Sequence, residues 1–364
     1  MSPPSQPNQL PDRSSDLVDQ ALQKQASGQP LEREMACELV EAVLTDRIGV
    51  ERFGVWLEQT VSVPPSAAVI AGVADALRKK MQRLTFDDLP DQLQKPILIG
   101  DTCGTGGDNS GSFNISTAAA IVVAGAGLPI AKHGNRAVSS RTGSADVFES
   151  LGIVIDGPPQ TAARCLAEIG LCFCYAPTHH PAIAMLSSLR RRIGKPTVFN
   201  LVGPLCNPAG ATVQVIGVGR PESHAALASA AWLTGLRRGI VVACEDGVDE
   251  VGLFAATHVI DVSVEEVRHT TWIPEDFGIN TAPQSLRADL AASGPAESAA
   301  IIKQVLAGER GVCRDTVVLN AAALLWAAGR GANLRAAAAL AAESIDSGSA
   351  RRTLDRLEKA TNPR

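Results

Sequence analysis

The sequence predicts an α/β protein, and the changing period of its apolar residues carries that reading. They recur first at four-residue spacing, then in short runs that alternate with helical segments, and finally in long alanine-rich stretches. The alternation in the middle implies a largely parallel sheet covered by helices. Residues 1–15 have neither a basic start nor an apolar core, and read as a disordered tail rather than a leader peptide. Leu31, Met35 and Leu39, then Val69, Val73, Leu77 and Met81, each line one helix face, so a helical section runs to about residue 90. Strands are expected at 97–99, 128–131, 171–175, 213–218, 239–243 and 258–262, and helices at 299–306, 317–328 and 334–345.

Composition narrows the function. A chain of 364 residues with 45% hydrophobic content buries a large core, and two domains are expected. Aromatic residues make up only 4%, which argues against platforms for stacking bases. The net charge of −5 argues against general affinity for nucleic acid or anionic lipid. No apolar run has the length of a membrane span, and the eight cysteines include no CxxC pair, so reduced thiols in a cytoplasmic protein are expected. Cys172 and Cys174 alternate along one predicted strand and should point to the same face.

The chemistry concentrates between Asp101 and Gly152. An apolar run leads into DTCGTGGD (101–108), FNIST (113–117) opens an alanine-rich helix, and KHGNR (132–136) reads as a basic glycine loop. The order strand, glycine turn, helix N-terminus favours phosphate, because free N–H groups and the helix dipole attract anions and glycines let the backbone approach. Asp108 and Ser116 offer hard oxygen ligands suited to Mg²⁺, while Ser112, Asn114 and Thr117 offer hydroxyl and amide contacts. Lys132, Asn135, Ser139, Ser140 and Ser144 add donors. Asp249 and Glu250 follow a predicted strand, where parallel sheets place ligand sites, and are candidate metal ligands. One of Arg190, Arg191 and Arg192 is expected to face a cleft.

With these motifs, joined by GSADVFESLG (143–152), FNLVGPLCNP (199–208) and DGVDEVGL (246–253), the chain resembles the anthranilate phosphoribosyltransferases over nearly everything after residue 17. The resemblance implies that 5-phosphoribosyl 1-diphosphate (PRPP) binds through Gly104, Gly107, Asp108, Ser112, Asn114, Ile115, Ser116, Thr117, Lys132, His133, Gly134, Asn135, Arg136, Ala137, Val138, Ser139, Ser140 and Ser144. It implies two Mg²⁺ ions held by Ser116, Asp249 and Glu250, anthranilate contacts at Gly104, Asn135 and Arg190, and catalytic roles for Lys132, Asn135 and Arg190. Ala176-Pro177 and His180-Pro181 match the wall of the acceptor channel.

The implied fold is a small helical domain (16–92 and 185–208) joined to a larger α/β domain (93–184 and 209–364), with the active site between them. A homodimer through the helical domain is expected, acting on small molecules without nucleic acid or membrane. Two departures stand out: residues 56–65 replace the family's basic, glycine-containing turn between two N-terminal helices, and Ser187-Ser188 replace a more usual Ala-Pro pair. Two other readings are a pyrimidine nucleoside phosphorylase, which uses a different glycine motif, and a non-catalytic relative that binds nucleic acid. The acidic balance and the Asp249-Glu250 pair weigh against the latter.

Overall fold

The computed structural model describes residues 13–87, 89–90, 94, 96–108, 110–137, 141–280 and 284–362. Four helices come first, α1 (Arg13–Ala26), α2 (Arg33–Leu44), α3 (Val50–Ser62) and α4 (Ala67–Lys80). β1 (Gly100–Gly104) leads to α5 (Ile115–Gly125), and β2 (Ile130–Gly134) to α6 (Ser144–Ser150) and α7 (Pro159–Ile169). β3 (Leu171–Tyr175) precedes three short helices, α8 (Ala176–His179), α9 (Ser187–Ile193) and α10 (Phe199–Val202). β4 (Val213–Gly217), α11 (His224–Leu233) and β5 (Arg238–Cys244) follow, then a hairpin of β6 (Thr257–Ser263) and β7 (Val267–Trp272). The chain continues through α12 (Pro295–Leu306), α13 (Val312–Ala327), α14 (Leu334–Asp346) and α15 (Ser349–Thr361).

The seven strands form one sheet in the order β3-β2-β1-β4-β5-β6-β7, parallel from β3 to β5 and antiparallel beyond. Both faces are covered, and the alternation of side chains shows how. On β4, Val213 and Val215 join a core with α5, α13 and the C-terminal helices, while Ile216 packs with the N-terminal helices. On β5, Ile240 and Val242 take the first side and Val241 and Ala243 the second. The helical residues 18–77 and 186–206 therefore share one core with a face of the sheet. Arg78 stitches that junction. Its guanidinium, partly buried, donates to the carbonyls of Leu205 at 2.6 Å and Thr234 at 2.7 Å.

Several expectations need correction. β1 starts at Gly100 rather than within 97–99, and Ile97 is 92% exposed. The strand carries buried Asp101 and Thr102, so hydrophobicity misplaced it. β2 extends to Gly134, which puts Lys132 and His133 on a strand rather than in a loop. Residues 56–62 are the second half of α3, with Trp56 and Leu57 fully buried, so the altered turn shrinks to the residues around Pro64 and Pro65. Helix α1 begins at Arg13, inside the expected tail, whose first twelve residues lie outside the described ones. β7 went unforeseen because an edge strand reading VRHTTW, exposed until Trp272, shows little apolar pattern. All eight cysteines are free, and the thiols of Cys172 and Cys174 lie on one face, 4.0 Å apart. Among the described residues no helix is long and apolar enough to cross a membrane.

Replacing Arg78 by Ala leaves two enclosed carbonyls without donors, and should lower the unfolding free energy by about 2–3 kcal/mol, measured by denaturant titration.

Candidate active site

The order of strands reverses between β1 and β4, and the crevice outside their C-terminal ends is where an open α/β sheet takes its ligand. Two cavities meet there. One, of about 650 Å³, is polar and lined by the 104–116 segment, β2 and the loop after it, Asp249 and Glu250. The other, of about 510 Å³, is more apolar and is walled by Leu77, Ala176, Pro177, His180, Ile183, Phe199, Val202 and Pro204. Cys103, Gly104, Thr105, His133, Gly134, Asn135 and Asn200 line both, so the cavities share one boundary.

Acidic groups crowd the polar cavity. Asp249 accepts from Gly106 N–H at 2.9 Å and comes within hydrogen-bonding reach of the Asp108 carboxyl. Burial, reinforced by Asp108, pushes the Asp249 carboxyl up to about 7. Glu250 is raised well above the ordinary carboxylate range, by burial first and by Asp249 second. Its carboxylate accepts from Ser116 N–H. Lys132, only 2% exposed, stands beside them and donates to Thr102 O at 2.6 Å and Ser116 Oγ at 3.1 Å. Asp249 gets this close because its neighbours lack side chains. A Cβ on Gly104 would lie 2.1 Å from Asp249 Oδ2, and one on Gly217 would lie 1.6 Å from Asp249 O.

These residues fit a hard divalent cation. Carboxylates forced together with one ammonium nearby, plus the Ser116 hydroxyl, are the donor set Mg²⁺ prefers. Among the described residues no three His, Cys, Asp or Glu side chains converge into a cage. That suits an ion completed by water and ligand phosphate rather than by protein alone.

The first turn of α5 departs from expectation. Its N–H groups are not free: Ile115 donates to Phe113 O, Ser116 to Glu250, and Thr117 and Ala118 to Asn114. Asn114 caps the helix through its side chain, and its own N–H donates to Ser298 Oγ at 2.8 Å. Thr117 is fully buried behind the wall, its hydroxyl also on Asn114 Oδ1, and does not line the cavity. Arg136 lines the cavity, but its guanidinium is engaged by Glu149 at 2.5 and 2.7 Å, Asp146 at 3.0 Å and Tyr175 Oη at 3.2 Å. Gly104, Gly107, Asp108, Ser112, Asn114, Ile115, Ser116, Lys132, His133, Gly134, Asn135, Ala137, Ser144, Asp249 and Glu250 all line the polar cavity. Val138, Ser139 and Ser140 lie outside the described residues.

The apolar cavity holds one cation. Arg190 packs over the Phe199 ring at 5.6 Å, and among the described residues its guanidinium has no carboxylate partner. Burial lowers its pKa from the ordinary arginine value. Arg192 instead pairs with Glu51, and Arg191 is exposed. Ser187 lines this cavity and Ser188 does not. At the shared boundary, His133 donates from Nδ1 to Gly203 O at 3.2 Å, which leaves Nε2 as a buried acceptor without a hydrogen-bond partner among the described residues. Burial and the neighbouring His180 ring, 5.1 Å away, hold His133 down to about 3, so the ring is neutral.

Comparison with known proteins agrees with this geometry. Residues 97–351 match the model of the glycosyl transferase family, a/b domain. An anthranilate phosphoribosyltransferase of Rhodopirellula baltica is 41% identical over 337 residues, 93% of this chain and 95% of its own length. The crystal structure of the Thermus thermophilus anthranilate phosphoribosyltransferase superposes with a TM-score of 0.85 at 36% identity, covering 95% of this chain and 99% of that one. The Saccharomyces cerevisiae enzyme, solved in complex with PRPP and Mg, has a TM-score of 0.82 at 27% identity, covering 95% and 98%.

The chain belongs to the anthranilate phosphoribosyltransferase family. Thr105, Arg141, Thr142 and Asn200, not expected from the sequence, also line the polar cavity, as does Gly106 of the glycine turn. Asn200 stood inside a recognised motif, FNLVGPLCNP, and that was the available signal.

The charge crowding has a pH signature. Folding raises the Asp249 pKa from about 4 to about 7, so the folded state binds the extra proton, and its stabilising effect is lost as pH rises through that window. In chelator, Asp249→Asn should therefore gain in melting temperature relative to the native protein as pH goes from 4 to 7. Added Mg²⁺ should raise the melting temperature of the native protein and leave that of the variant unmoved.

Proposed function

We propose that the protein transfers the phosphoribosyl group of PRPP to the amine of anthranilate, releasing pyrophosphate, as a step of tryptophan biosynthesis. The observation that carries this reading is the joined pair of cavities, one built for an oxygen-rich anion with a metal and the other an apolar slot ending in an unpaired arginine. A planar aromatic acid fits the second through its ring against apolar walls and its carboxylate on Arg190.

The diphosphate sugar occupies the polar cavity. Asp108, Ser116, Asp249 and Glu250 would hold two Mg²⁺ ions with it, and such ions neutralise the diphosphate and stabilise the charge that grows on a departing pyrophosphate. Lys132 adds a fixed, desolvated positive charge on the same side. Asn135 and Gly104, on the boundary, position the ribose C1 against the acceptor. The amine nitrogen forms its bond to C1 as the bond from C1 to the pyrophosphate oxygen breaks, with inversion, and the amine proton is lost late. His133 lines both cavities, but its Nε2 is enclosed by protein, so the neutral ring shapes their boundary rather than touching the amine. Orientation is the main contribution, since an aromatic amine is already uncharged near pH 7.

We assign 16–92 with 185–208 to a helical domain and 93–184 with 209–364 to the α/β domain. The helical domain supplies Arg190 and Leu77 to the acceptor slot. Assembly as a homodimer through this domain, in the cytoplasm, is part of the same reading.

The test is anthranilate fluorescence followed over time with PRPP and Mg²⁺. Decay that needs both supports the transferase; persistent fluorescence with PRPP still bound points to another acceptor. Arg190→Ala should raise the anthranilate KM at least about tenfold, the ~1.4 kcal/mol or more carried by a charged hydrogen bond, and leave the PRPP KM nearly unchanged.

A further inference from the structure

Two segments on either side of residues 138–140 wall the polar cavity, Asn135, Arg136 and Ala137 as an outgoing arm and Arg141, Thr142 and Gly143 as a returning arm. Nothing in the sequence says what holds these arms in place. The structure shows a single carboxylate at their base. Asp146, in the first turn of α6, accepts from Ala137 N–H at 2.9 Å and Gly143 N–H at 3.1 Å through Oδ2, and from the Arg136 guanidinium at 3.0 Å through Oδ1.

The two arms touch where Asp146 binds them. A Cβ on Gly143 would lie 2.2 Å from Ala137 N, and Ala145 N–H donates to Asn135 O at 3.2 Å. Both amide donors converge on one oxygen, so the spacing of the arms is set by that oxygen rather than by packing of apolar side chains. Asp146 does not itself line the cavity, and its side chain is 19% exposed. It cannot reach a ligand there. It can act only through the arms.

A carboxylate so close to a diphosphate site repels the ligand unless it is neutralised. Arg136 supplies a counter-charge, which it shares with Glu149, whose two bonds hold it from the far side. The charge of Arg136, which the motif KHGNR offers to phosphate, is thereby committed to the arms' own anchor. We propose that Asp146 is a positioning residue for PRPP: it fixes the two arms at the spacing the diphosphate sugar requires, with Arg136 as its counter-charge. The inference rests on the functional reading above, and deepens it.

The test uses the full-length protein, Asp146→Ala, Asp146→Asn and Glu149→Gln, with steady-state kinetics in each substrate, calorimetric titration of PRPP in Mg²⁺, and thermal melting. Asp146→Ala should raise the PRPP KM and Kd about tenfold or more, with kcat and the anthranilate KM within about twofold of the native values. Asp146→Asn keeps one acceptor oxygen and should fall between, and it carries the comparison should the alanine variant not fold. Glu149→Gln leaves Asp146 in place and should stay within about twofold throughout. PRPP affinity unchanged in both Asp146 variants overturns the proposal. So does a general loss, in which kcat falls and both KM values rise along with a lowered melting temperature, or a Glu149→Gln variant as impaired as Asp146→Ala. A native protein that neither binds PRPP nor consumes anthranilate overturns the functional reading, and this inference with it. An active native protein with an indifferent Asp146 overturns this inference alone.

Discussion

The arrangement depends on forcing like charges together at the C-terminal ends of β1 and β5. Asp108, Asp249 and Glu250 crowd one cavity with a single buried ammonium, Lys132, beside them. Such crowding opposes folding, and it persists because the surrounding backbone leaves no alternative. Gly104 and Gly217 give Asp249 the space of two missing side chains, and Gly106 and Ser116 offer it and Glu250 backbone donors. Carboxyl oxygens gathered in advance, which give up their protons as a cation arrives, leave little reorganisation for the moment of reaction.

Beneath the site, one buried carboxylate ties the strands of the sheet together. Buried Asp101 on β1 accepts from His133 N–H, Asn207 and Gln214, binding β1, β2, β4 and the segment after α10 into one network. Burial pushes its carboxyl up to about 6, offset in part by Lys132 and Asn207. The strands that carry Gly104, Lys132 and His133 thus share an anchor one turn of pleat below the ligand. On the other side, Arg190 is placed by α9, whose segment packs with the N-terminal helices against the second face of the sheet. The acceptor slot exists only because the helical section returns to this surface.

Much of this was legible in the sequence, and the failures share a cause. Helix α14 and β3 to β6 fell close to their expected positions because their apolar runs face a core; α12 and α13 begin four to five residues early, and α15, a charged helix with few apolar residues, went unforeseen. β1 and β2 were displaced because they carry Asp101, Thr102, Lys132 and His133, polar residues that serve the site and disguise the strand. The glycine turn and the acidic pair pointed to the polar cavity. The helix N-terminus was read as free, yet its donors are consumed by Asn114 and Glu250, a tertiary pairing that no local pattern reveals. Arg136 looked like a phosphate ligand for the same reason: its partners Asp146 and Glu149 are visible in sequence, but the geometry that commits it to them is not. Trp56 and Leu57 looked like an altered turn and proved to be buried helix.

On this view the carboxylate cluster and PRPP are compatible only through a divalent cation. Calorimetric titration of PRPP into the protein, with Mg²⁺ and with chelator, tests that most directly. Saturable binding in Mg²⁺ that is weakened at least about a hundredfold in chelator, the ~2.7 kcal/mol expected of unscreened like charges, is the predicted result. Equal affinity under both conditions would contradict it, and would mean that Lys132 and the loop hold the diphosphate unaided.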